Sequence, residues 1–184
     1  VTNYALCPRV TIPEITRQSR AALSWARRTE LNYAGDRDRI YICGHSAGGH
    51  QVARLLCTNW EGDYGLPQNV IKGGYSISGL FDISPLRYSW LQPLLQLDED
   101  VIQCESPQFH IPVSAPPLVA DVGGVESDEF RRQSREYMDA WQAAGLQGVY
   151  TEQVGKNHFS AIEGFIDGDS DLCKAVCGFI SDCE

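Results

Sequence analysis

Long apolar runs are missing from this chain. None approaches the roughly 18 residues of a membrane-spanning helix, so no such segment is expected. An excess of positive charge is missing too. Fifteen Lys and Arg stand against 24 Asp and Glu, a formal charge of −9, which argues against nucleic acid or an anionic membrane as a partner. Cys and His pairs with zinc-like spacing are absent. The seven cysteines (Cys7, Cys43, Cys57, Cys104, Cys173, Cys177 and Cys183) are odd in number and scattered through apolar segments. Most read as small buried hydrophobes in a reduced, cytoplasmic protein, not as a disulfide framework. Cys173 and Cys177 share a helix face, but no second pair completes a metal site. There is no internal repeat and no low-complexity tract. The chain opens at Val1 with neither a methionine nor a signal-like segment. Its first four residues look like the tail of a strand, so upstream sequence is expected.

What remains is an ordinary globular composition, 43% hydrophobic and 21% charged, in a length that suits one domain with a sizeable core. Short apolar runs alternate with amphipathic stretches. Strands are expected at residues 38–43, 70–78, 117–122 and 149–154, the first as a central strand. Helices are expected at 12–32, from the residues after 46 to about 59, at 129–144 and at 170–181. Thr11 with Glu14 reads as a capping box for the first helix. Residues 79–115 are broken by Pro85, Pro93 and Pro107 and read as an irregular insertion over a site. Strand–helix alternation of this kind predicts an α/β fold, a mainly parallel sheet flanked by helices.

The stretch Gly44-His45-Ser46-Ala47-Gly48-Gly49-His50 stands out. It contains Gly-x-Ser-x-Gly between a β-prone and a helix-prone segment, the context of a nucleophile elbow. A serine hydroxyl needs a base to take its proton, and the base needs an orienting carboxylate. The order Ser…Asp…His is met by Ser46, Asp128 and His158, each just past an expected strand, where sites in such sheets lie. His158 is preferred over His45, His50 and His110, and Asp128 over Asp82, Asp121 and Glu126. His45 is expected to point away from the nucleophile. Ala47 N–H supplies one oxyanion donor. Phe81, Tyr88, Trp90 and Phe159 are candidates for lining an aromatic substrate pocket.

Several segments together resemble the kynurenine formamidase (arylformamidase) branch of the α/β-hydrolases. They are residues 3–11, the elbow, Ser78-Gly79-Leu80-Phe81-Asp82, Gly123-Gly124-Val125-Glu126-Ser127-Asp128-Glu129-Phe130 and Asn157-His158-Phe159. The resemblance implies hydrolysis of N-formyl-L-kynurenine to L-kynurenine and formate, in tryptophan breakdown, with Ser46 as nucleophile, Asp128 as acid and His158 as base. It implies a small-molecule substrate and no metal or organic cofactor, and it is compatible with a homodimer. The branch's His-Gly-Gly-x-Trp oxyanion stretch has no counterpart here, so the chain is expected to lack the N-terminal strands of the fold. Two alternatives stay open: a general esterase of small acyl groups, and a non-catalytic scaffold that binds a ligand or partner.

Overall fold

The computed structural model describes residues 1–29 and 35–183. Four strands form one sheet in the order β1 (Ile40–His45), β2 (Ile71–Ile77), β3 (Leu118–Gly123) and β4 (Gly148–Gln153). Every pair is parallel. Parallel neighbours cannot be joined by a hairpin, so each connection crosses over through helical structure.

The chain enters through α1 (Ile12–Thr29). The expected end of this helix near residue 32 lies outside the described residues. Glu14 does not complete a capping box: its carboxylate binds Arg17 and Gln18 on the same helix. The elbow helix α2 (Ala47–Leu56) stops earlier than expected. Asn59 then caps a separate short helix, α3 (Trp60–Tyr64), by accepting from Gly62 N–H. Between β2 and β3 lie a 3₁₀ turn (Ser84–Tyr88), α4 (Gln92–Leu95), α5 (Glu99–Glu105) and a second 3₁₀ turn (Pro107–Phe109). Next come α6 (Asp128–Ala143), a 3₁₀ turn over Ser160–Ile166 after β4, and α7 (Asp171–Asp182).

Alternation along the strands separates two apolar faces. Leu118 and Ala120 join Leu23 of α1, Val52 and Leu56 of α2, and Tyr137, Met138 and Trp141 of α6. Val119 faces the other way, with Tyr75, Ile77, Ala161 and Leu172. A third cluster unites Ile12 with Ile83, Leu97 and Ile102, and so ties the β2–β3 segment to the start of α1.

One strand differs from its expected place. β1 pairs only with β2 and forms an edge among the described residues. Its residues are half-buried at best, and Cys43 is exposed. None of the seven cysteines is buried: Cys43, Cys104 and Cys177 are exposed and the rest half-buried, all as free thiols. The expectation of buried thiols fails because, among the described residues, Cys43 lies on a strand paired on one side and Cys177 is exposed on α7.

No helix among the described residues is long and apolar enough to cross a membrane. No group of three or more His, Cys, Asp or Glu among them is placed to hold a metal ion.

Candidate active site

Ser46 sits between the end of β1 and the start of α2, with φ 57° and ψ −116°. A non-glycine residue at positive φ is strained, and such strain persists only where the surroundings enforce it. Here Ser46 N–H donates to Ile77 O at 2.9 Å, and Ser46 O accepts from His50 N–H at 3.0 Å. The turn also needs close backbone approach. A Cβ on Gly44 would lie 2.3 Å from Gly48 O, and one on Gly49 would lie 2.8 Å from both Gly79 Cα and Ser76 Oγ. The local sequence therefore allows a turn that lifts the Ser46 side chain above the sheet edge.

His158 reaches it from the loop after β4. Its Nε2 lies 2.9 Å from Ser46 Oγ. Its Nδ1 lies 2.7 Å from Glu126 Oε2. An ionised carboxylate only accepts, so Nδ1 carries the proton and Nε2 is free to accept from the serine. The Glu126 side chain is 0% exposed. Its second oxygen, Oε1, accepts from Gly123 N–H at 2.8 Å and from the Ser78 hydroxyl. These donors hold the carboxylate in place beside the imidazole.

The carboxylate beside His158 is thus Glu126, not Asp128. Ser127 caps α6, which places Asp128 in the first helical turn. There its side chain is 97% exposed and pairs with Arg131. The other acids lie elsewhere. Asp82 accepts from Ser84 N–H within its own turn. Asp121 accepts from Thr151 Oγ1 and Gln153 Nε2; burial pushes its pKa up, against those hydrogen bonds.

The remaining histidines take supporting positions. His45 does not simply point away. Its Nε2 lies 2.8 Å from the backbone carbonyl of His158, and the two rings are 4.6 Å apart. His50 is buried and donates from Nε2 to Glu105 O at 2.7 Å. Burial lowers the pKa of both His45 and His50, so both favour the neutral ring. His110 Nε2 donates to Gln103 O, within the β2–β3 segment.

Behind His50 lies a buried polar network. Arg54 of α2 and Glu105 of α5 form an ion pair at 3.2 Å, and Thr16 of α1 donates to Glu105 Oε2 at 2.7 Å. Three helices are joined at this one carboxylate.

Ser46, Ala47 and His158 line a cavity of about 620 Å³. Its other walls are mainly apolar and come from residues 4–15, the β2–β3 segment and the start of α6. Ala47 opens α2, so its N–H is among the first helical amides, which have no intrahelical acceptor. Of the expected aromatic residues, Trp90 lines the cavity. Phe81 does not. It is fully buried and stacks on Tyr137 with ring centroids 4.3 Å apart. Tyr88 points to solvent at 87% exposure and is not a wall residue. Phe159 also stays outside the cavity wall, edge-on to His158 at 5.7 Å. Phe130 was not among the expected residues. It lines the cavity, and its ring lies 4.6 Å from that of His158. Its position three residues past the capping Ser127, in a helix that starts beside His158, was the available signal. A second, smaller cavity of about 280 Å³, walled by Leu56, Trp60, Ile71 and Pro116, lies at the opposite end of the strands from Ser46.

A family profile for the alpha/beta hydrolase fold matches residues 1–108. The chain belongs to that family. It is 34% identical over 180 residues to the kynurenine formamidase of Salmo salar, covering 95% of this chain and 59% of that protein. It is 29% identical over 183 residues to the kynurenine formamidase of Danio rerio, covering 97% and 60%. The chain therefore spans about 60% of the length of these curated relatives. Among solved structures, EstE1, a thermostable carboxylesterase cloned from a metagenomic library, superposes with a TM-score of 0.79. That match covers 98% of this chain and 67% of EstE1 at 18% identity, a likeness of fold.

Proposed function

We propose that this chain carries the catalytic relay of a serine hydrolase that cleaves N-formyl-L-kynurenine to L-kynurenine and formate, with Ser46 as nucleophile, His158 as base and Glu126 as acid. The observation that carries this reading is the continuous hydrogen-bonded line Ser46–His158–Glu126 at 2.9 and 2.7 Å, ending in a fully buried carboxylate. Similarity to two kynurenine formamidases supports the choice of substrate.

His158 Nε2 takes the Ser46 proton as Oγ attacks the formyl carbon. Ala47 N–H, at the positive end of α2, donates to the developing oxyanion. The imidazolium, stabilised by Glu126, then protonates the departing aryl amine. Water, deprotonated by the same histidine, attacks the formyl-enzyme, and formate leaves. Phe130 and Phe159 both pack against the His158 ring, which limits its motion and keeps it aligned between two partners. The mainly apolar cavity suits an aryl leaving group. The seven free thiols suit a reducing, cytoplasmic setting.

The test is a comparison of kcat/KM for N-formyl-L-kynurenine and for a short p-nitrophenyl ester on one preparation. The reading predicts that the formamide is the better substrate. Much faster ester turnover would place the protein among general small-acyl esterases instead.

A further inference from the structure

Among the described residues that line the cavity, Glu129 is the only Asp, Glu, Lys or Arg. It belongs to the first turn of α6, one helical turn from Gln133, which also lines the cavity. We propose that Glu129 forms an ammonium-recognising subsite, so that the cavity selects substrates with a cationic amine near the scissile aryl amide. This rests on the hydrolase reading of Ser46 and His158.

The carboxylate has unused capacity. Two oxygens offer about four lone-pair positions. Oε1 accepts from Arg132 at 2.7 Å and from Gln133 at 2.8 Å, and Oε2 accepts from Arg132 Nε at 2.8 Å. One position on Oε2 remains. Nor does Arg132 neutralise the site, because it is shared with Glu136. The trio Glu129–Arg132–Glu136 carries a net charge of −1, and Arg132 is not a wall residue. The hydrogen bonds from Arg132 also hold the Glu129 pKa below the ordinary carboxylate range, so the group stays charged. With no wall cation to oppose it, this charge attracts an ammonium and repels a substrate that is only anionic.

The probes are three aryl formamides on one 2-formamidophenyl ketone skeleton. One ends in an amine, one in a methyl group and one in a carboxylate. The parent protein should rank them by kcat/KM as amine, then neutral, then acid. In Glu129→Gln the ratio of amine to neutral should fall by about fivefold or more, mostly through KM, the scale of a lost hydrogen bond to a charged group. Arg132→Gln keeps the carboxylate and removes its cation, so the same ratio should rise. An unchanged ratio in Glu129→Gln overturns the proposal. Should that variant fail to fold, an unchanged or smaller ratio in Arg132→Gln does so. Failure of the formamidase reading looks different: no formamide is cleaved, but p-nitrophenyl acetate is. The subsite is then read from an aminoalkyl ester against its alkyl counterpart. Loss of all turnover in the parent would end both readings.

Discussion

His45 Nε2 lies 2.8 Å from the backbone carbonyl oxygen of His158. The residue just before Ser46 therefore holds the chain segment that carries His158. Ser46 and His158 come from different ends of the sheet's sequence, and this contact joins their two loops directly. His45→Ala should lower kcat/KM about threefold to tenfold, the worth of one hydrogen bond that aligns a reacting group. His45→Gln, which can still donate, should retain more activity than the alanine variant. Equal activity of all three proteins would show that the contact does not position the base.

The acid can be assigned by a pair of variants. Glu126→Gln keeps the shape but removes the charge that steadies the imidazolium, and should cost about a thousandfold or more in kcat. Asp128→Asn changes a solvent-facing side chain paired with Arg131 and should cost no more than about twofold, since exposed ion pairs contribute little. The reverse ranking would return the role to Asp128.

Stability should depend on pH through His50. Burial lowers its pKa, so the native state keeps the ring neutral while the unfolded chain takes up a proton near the ordinary value of about 6.5. The unfolded state then binds more protons in acid. Stability is full above about pH 6.5 and falls below it, with a slope of at most about 1.4 kcal/mol per pH unit for this one group. Urea midpoints measured from about pH 8 to 5 should show the loss, and His50→Gln should flatten it. A variant with an equal or steeper slope would contradict the assignment to His50.

The buried pair Arg54–Glu105 should behave as an all-or-nothing unit. Glu105→Gln leaves Arg54 buried without its counter-charge and should cost about 3 kcal/mol or more of unfolding free energy. Replacing both by apolar residues of similar volume should recover most of that loss. A double variant as unstable as the sum of the singles would mean that the pair, not its desolvated remnant, supplies the energy.

Much of the fold was legible in the sequence. The four strands appear within two residues of their expected limits, because each is a short apolar run bounded by turn residues. The elbow was legible for the same reason: glycines that permit a strained turn leave a local mark. The acid was not. Val125-Glu126-Ser127-Asp128 offers two carboxylates two residues apart, and the choice depends on where α6 begins. Ser127 as cap, followed by Asp128 and Glu129 in the first turn, was the signal, since acidic residues favour that position. The helix claims Asp128 for solvent and leaves Glu126 in the buried loop. Phe81 and Tyr88 were misplaced because aromatic type alone does not say which way a loop turns. Phe81 turns into the core against Tyr137, and Tyr88 turns out. The place of β1 at the sheet edge among the described residues depends on tertiary pairing, which its apolar run could not reveal.

The central claim is that Ser46 performs formamide hydrolysis. Its most direct test is steady-state turnover of N-formyl-L-kynurenine by the parent protein and by Ser46→Ala, with circular dichroism to show that both are folded. The account predicts robust release of L-kynurenine by the parent and a loss of about 10⁵-fold or more in the variant. A folded Ser46→Ala protein within a few-fold of the parent would contradict it.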